Sequence, residues 1–277
     1  MKSWKKAAGL AVGSVLLLLS ACGDRELPEE VYGDALETME NLDSVYFTES
    51  NTLNAAEEGV STFTRGAIRY GDPIQGYMES SMNLVELDTP VELDIRVDGE
   101  NIQTRQNGEW EASETNTEQI QSMLRPNEDL SFFLEFKNEF LMKEVTDVED
   151  TDDYYEVSFK GTEERHKVLA EKKLSSLGVM PEGGLSEEQL NGMTLDGIEM
   201  TAFIDKETRR LNGYDTRFTF TVELGGKLRS FDEQTNVRYE DHNNVEGNLE
   251  EFIQQKVQEI QQEQMEEQES ENNADAA

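Results

Sequence analysis

The chain has 277 residues, with 60 Asp and Glu against 24 Lys and Arg, a formal net charge of −36 at pH 7, and a single cysteine. So large an acidic excess, with no basic patch to offset it, excludes nucleic acid and anionic membrane faces as electrostatic partners and suits a solvated surface outside the cell. Hydrophobic residues make up 36% of the chain and are patterned rather than scattered, which argues for a folded core and against disorder.

Lys2, Lys5 and Lys6 precede an apolar run from Ala7 to Leu19, which closes on Leu19-Ser20-Ala21-Cys22. The run falls short of the ~20 apolar residues that a membrane span needs, and it has the charged, apolar and small-residue regions of a secretory signal. Its ending resembles the lipobox of bacterial lipoprotein signals. That resemblance implies a signal peptide over residues 1–21, a diacylglyceryl group on Cys22, a lipidated spacer over 22–27, and a mature chain held by its lipid on the extracytoplasmic face of the cell membrane. With its one thiol committed to lipid, the chain has no disulfide, and the fold must stand on its core.

Pro28 followed by Glu29 and Glu30 reads as a helix start, and Val31, Ala35, Met39 and Leu42 recur at helical spacing, so a first helix is expected over about 28–42. From Ser44 the period changes to two. Val45 and Phe47 begin a strand, Ser61–Tyr70 make another and Tyr77–Leu87 a third, with a turn at Gly71-Asp72-Pro73. Val91, Leu93, Ile95 and Val97 alternate with charged residues up to the hairpin signal Asp98-Gly99; the partner strand from Asn101 runs to a second turn at Asn107-Gly108, and Trp110 follows. Helical segments are expected around Ile120, Met123 and Leu124 and around Leu130, Phe133, Leu134 and Phe136, divided by Pro126. A hairpin follows, from Phe140 to Phe159 across the acidic turn 149–153. Thr162 is placed as the cap of a helix that ends at Gly178, and Ser186-Glu187-Glu188 as a short helical turn. Ile198, Met200, Ala202 and Ile204, then Tyr214 through Leu224 on even positions, give two long alternating strands, and Gly225-Gly226 turns into a last one from Leu228 to Tyr239. The remaining 246–277 reads as an acidic Gln/Glu-rich segment, with a thin stripe of Leu249, Ile253, Val257 and Ile260 that suits a docking or partly formed terminal helix better than a partner-binding zipper, and gives way to disorder from about Glu266.

Chemistry has few candidates. His166 sits between Arg165 and Lys167 and is expected on the surface; His242 lies beside Asp241, a common pairing. Neither follows a nucleophile elbow, no zinc-type spacing exists, and the acidic run 147–153 lacks the glycine of an EF-hand loop. No catalytic residue, metal ligand or cofactor is assigned.

The early helix after a lipobox, the long meander with its helical inserts, and the signals Asp98-Gly99, Asn107-Gly108-Glu109-Trp110 and Ile204-Asp205-Lys206-Glu207-Thr208 resemble an uncharacterised family of Gram-positive lipoproteins similar to the LolA/LppX group of lipoprotein and lipid carriers. The resemblance covers most of 27–245 and implies one α+β domain over 28–245: a strongly curved antiparallel β-sheet, a half-barrel, with helices covering its concave face. It also implies non-enzymatic binding of an acyl chain, lipid or lipidated partner between sheet and helices. Ile198, Met200, Phe218, Phe220 and Val222 on the sheet, with Phe133 and Leu134 opposite, are the candidate lining. Alternation suits a filled core as well as a cavity wall, so an envelope interaction module with no internal ligand stands as the other reading.

Overall fold

The computed structural model describes residues 26–55, 58–84, 89–106, 108–113, 124–125, 127–146, 152–181 and 184–274. The signal region with Cys22, the helical positions Ile120 and Met123, Asn107 and most of the acidic turn near 150 lie outside the described residues.

The strands are β1 (Ser44–Ala55), β2 (Glu58–Arg69), β3 (Gln75–Leu84), β4 (Val91–Asp98), β5 (Asn101–Arg105), β6 (Glu111–Ala112), β7 (Leu141–Val145), β8 (Tyr154–Gly161), β9 (Thr194–Asp205), β10 (Leu211–Leu224) and β11 (Lys227–Glu240). They form one open, curved antiparallel sheet in the order β6-β5-β4-β3-β2-β1-β11-β10-β9-β8-β7. Two meanders thus meet where the first strand pairs with the last, Phe47 opposite Tyr239 and Leu53 opposite Glu233. The fold is the expected α+β half-barrel.

Side-chain parity divides the two faces. Val45, Phe47, Ile68, Met78 and Ile95 face the concave side and join Val157, Phe159, Ile198, Met200, Phe218 and Phe220 in one cluster. It is roofed by α1 (Pro28–Glu40), the 3₁₀ segment Glu128–Glu139 and α2 (Lys167–Ser176), which touch one another and the strands β8–β10. Gly66 lets this layer close: a Cβ there would lie 2.5 Å from the Phe47 ring, so only glycine allows that ring to cross β2. The short α3 (Glu187–Gly192) begins at the expected Ser186, whose hydroxyl accepts the Gln189 N–H while the Gln189 amide accepts the Ser186 N–H.

Tyr46, Ala67 and Tyr77 face the convex side, where Ile253 and Val245 bury them, with Leu249, Phe252 and Val257 packed alongside. The terminal helix α4 (Leu249–Ala274) therefore docks as its stripe suggests. Glu250 on α4 receives Arg96 at 2.6 Å and Arg105 at 3.1 Å, and both guanidiniums lie over the Trp110 ring, at 4.4 and 4.6 Å from its centre.

Four local expectations change. Helix α4 continues to Ala274, past the Glu266 where order was expected to end. The cap before α2 is Glu163, not Thr162: a single 3₁₀ turn, Glu164–His166, precedes the helix, and the His166 ring accepts the Glu163 N–H at 3.0 Å. That turn swings His166 inward, where it is 1% exposed rather than on the surface. Leu134 faces solvent because its segment is 3₁₀ and not α-helical. With three residues per turn, Leu130, Phe133 and Phe136 share the inner face, and the residue four after Leu130 points out.

Candidate functional site

Six of the seven residues expected to line a ligand site lie inside the closed part of the half-barrel. Phe133, Ile198, Met200, Phe218, Phe220 and Val222 are buried in one continuous core, where the Phe133 ring meets Phe159 at 5.5 Å and Phe218 at 6.2 Å. Leu134, at 36% exposed, is not among them. These six side chains belong to the buried core of the sheet.

A polar band crosses the same concave face further along the strands. Glu233 on β11 is 1% exposed; its Oε1 receives Lys173 Nζ from α2 at 2.8 Å, Asn51 Nδ2 from β1 at 2.7 Å and Thr235 Oγ1 at 3.1 Å. Asp129 of the 3₁₀ segment reaches Lys173 at 3.3 Å, and Thr64 and Ser80 share a hydrogen bond of 3.1 Å two strands away. Burial alone would depress the Lys173 ammonium, but Glu233 and Asp129 outweigh it and the net shift is upward. Burial pushes the neighbouring Glu49 carboxyl up; Lys173 draws it back in part, while Glu233 and Asp129 add to the rise. The band fastens α2 to the sheet.

Beyond the band the concave face turns apolar again and opens. Leu53, Ala55, Val60, Leu224 and Phe231 on the ends of β1, β2, β10 and β11 face Leu177, Val179 and Pro181, which follow α2, across a cleft of about 530 Å³. Its size falls within the ~300–1,000 Å³ common for small-molecule sites. Phe231 stacks on Phe220 at 5.1 Å, so the closed core backs the cleft, and Arg229 stands at its edge. Gly225 and Gly226, both with positive φ (59° and 74°), make the tight turn that brings β11 back along β10 here. The sequence reading passed over these residues. The signal was present: on β1 the buried parity continues through Glu49 and Asn51 to Leu53 and Ala55.

A second opening, about 510 Å³, lies between α1 and the β9–β10 turn and is lined by polar groups of both signs, among them Asp34, Glu37, Arg209 and Arg210. Leu42 is the one apolar side chain among its lining residues. Beside it Asp205 Oδ1 accepts the Glu207 and Thr208 N–H groups, which fixes the Asp-Lys-Glu-Thr turn, and Glu26 receives Arg209 and, at 2.5 Å, the Tyr155 hydroxyl. The Tyr155 hydrogen bond and the Arg209 charge hold the Glu26 carboxyl below its usual range. Glu26 is thereby pinned to the end of the sheet opposite the open cleft.

Both histidines are held by contacts within the fold. His166 Nε2 lies 3.1 Å from Glu139, with its ring between Phe136 and Phe159, and His242 Nε2 lies 3.0 Å from the Leu211 carbonyl, where burial lowers its pKa. Among the described residues no group of three His, Cys, Asp or Glu is placed to hold a metal ion, and no described helix is long and apolar enough to cross a membrane.

Residues 28–250 match the family described as a family of unknown function, DUF6612. The chain belongs to that family. No curated protein matches this DUF6612 chain in sequence. Similar solved structures include the Mycobacterium tuberculosis lipoprotein LppX (13% identity, TM-score 0.45, covering 79% of this chain and 97% of that one). LprF from Mycobacterium bovis is 11% identical with a TM-score of 0.47, covering 79% and 94%, and a LolA superfamily protein from Nitrosomonas europaea is 11% identical with a TM-score of 0.26, covering 81% and 96%. At these identities the likeness is one of fold.

Proposed function

We propose that this DUF6612 chain is a lipid-anchored protein of the outer face of the cell membrane that binds an apolar ligand, an acyl chain or lipid, without catalysing a reaction on it. In this reading residues 1–21 are removed, Cys22 carries the lipid, residues 22–27 are the spacer, 28–245 are the binding domain and 246–277 a terminal helix.

The carrying observation is the apolar cleft between the strand ends and the segment after α2, open to solvent at one side and backed by Phe231 and Phe220 at the other. An apolar wall left open to water is unfavourable by roughly 25 cal/mol per Å², and an acyl chain would relieve that cost. The proposed site therefore moves from the seven residues expected from sequence to Leu53, Ala55, Val60, Leu177, Leu224 and Phe231, with Phe220 and Val222 behind them. Glu26 is held at the far end of β10, roughly 40 Å along the strand from the cleft at the usual rise per residue, and in this reading the mouth opens away from the membrane that anchors the chain.

The interaction-module reading has one observation in its favour: Ile260 and Met265 are exposed on α4, beyond the residues that dock on the sheet.

Native mass spectrometry distinguishes the two. All described contacts lie within residues 26–274, so the chain from Gly23 onward keeps them. Purified in that form from cells, it should carry a lipid-sized adduct, and Ala55→Trp, which fills the cleft, should lose it. An adduct-free wild-type chain would overturn the proposal.

A further inference from the structure

The chain is short of cations, and most described ones are committed: Arg65 to Glu79, Arg105 to Asp94 and Glu250, Lys173 to Glu233, Arg217 to Asp232, Arg238 to Asp215. Lys227 and Arg229 are different. They sit at the start of β11 on the parity of Phe231 and Glu233, hence on the concave face, opposite Leu224 and Val222 of β10. Both are exposed, and neither forms a hydrogen bond or ion pair among the described residues. The acids on the same hairpin do not answer them, since Glu223 has the opposite parity and Glu233 is taken by Lys173 and Asn51. Arg229 is at the same time part of the cleft wall.

We infer that the ligand of the cleft is a single-chain amphiphile with an anionic head, its alkyl chain against Leu53, Val60, Leu224 and Phe231 and its carboxylate or phosphate on Arg229 and Lys227. This deepens the ligand-binding proposal and rests on it. Two features support the assignment beyond apolar shape. A chain this acidic repels anions from its surface generally, so two adjacent unpaired cations at one apolar mouth make a local exception. A guanidinium beside an alkyl-lined slot matches the geometry of a bidentate oxyanion, and the long Lys and Arg stems extend the apolar wall up to the head.

Calorimetric titration of the chain from Gly23 onward with tetradecanoate, tetradecyl phosphate, tetradecanol and tetradecyltrimethylammonium, each below its aggregation limit, tests this. Both anions should bind about tenfold or more tighter than the alcohol, a difference of ~1.4 kcal/mol, and the cationic probe should bind weakest. Arg229→Gln with Lys227→Gln should remove the anion preference, bringing both anions to within about threefold of the alcohol measured on the same variant, while Arg229→Lys should retain most of it. Equal affinity for alcohol and carboxylate, or an anion preference that survives both Gln changes, overturns the inference and leaves the cleft proposal standing. Failure of all four probes overturns the cleft proposal itself and this inference with it. Preference for phosphate over carboxylate, or the reverse, supports the inference and identifies the head.

Discussion

Replacing Lys173 with Met should be among the most damaging single changes to this fold. Its side chain is 9% exposed and that of its partner Glu233 is 1% exposed, with 2.8 Å between Nζ and Oε1. Glu233 Oε2 already has no partner, so removing the ammonium leaves a buried carboxylate held only by Asn51 and Thr235. Breaking such a pair from one side costs about 3–5 kcal/mol, whereas replacing both ions by apolar groups is often neutral or stabilising. With a urea m-value of about 3 kcal/mol/M for a domain of this size, the unfolding midpoint of Lys173→Met should fall by roughly 1–1.7 M at pH 7, and Lys173→Met with Glu233→Leu should recover most of it. A single variant within about 0.5 kcal/mol of wild type, the range of ordinary surface changes, would refute the account of the polar band. So would a double variant less stable than the single.

Glu49, whose pKa burial already raises in the native chain, gives a related expectation: Glu49→Gln should gain on wild type as pH rises from about 4.3, the unfolded Glu value, and a gap that widens toward acid instead would be wrong in sign. His166→Ala should lower stability by about 2–5 kcal/mol, the range for emptying a buried ring or long side chain, read as a fall in Tm; a change under about 0.5 kcal/mol would return the residue to the surface. Ending the chain at Asn248 removes Ile253 and Phe252 from the convex cluster and Glu250 from Arg96 and Arg105. Trp110, the one tryptophan from Gly23 onward, should then shift its emission to the red and the Tm should drop; unchanged emission would mean that α4 does not cover that face.

The sheet was legible because its parity is regular. Even positions from Tyr214 to Leu224 are all buried, as their alternation implies, and Asp98-Gly99 turns with Gly99 at a φ of 61°. What escaped were places where local context overrides the pattern. Leu134 reads as part of an apolar helix until the segment winds with three residues per turn, and nothing in Leu130–Phe136 announces that choice. His166 is flanked by charges, yet Gly161 leaves the room its ring fills: a Cβ there would lie 2.9 Å from His166 Cγ. The open cleft was hidden by its own polar band, since Glu49 and Asn51 interrupt the apolar parity of β1 just where reading it as buried would have led on to Leu53. A pattern of alternation identifies which face is inward; only the distances across that face separate packed core from open wall.

The claim on which the functional account turns is that an alkyl chain enters between the strand ends and the segment after α2, and not into the packed interior. Methyl NMR of the chain from Gly23 onward, titrated with a fatty acid bearing a nitroxide near its tail, tests it directly. The account predicts strong broadening of Leu53, Val60, Leu177 and Leu224, with Ile198 and Leu130 spared. Broadening centred on Ile198, or none at the four cleft residues, would contradict it.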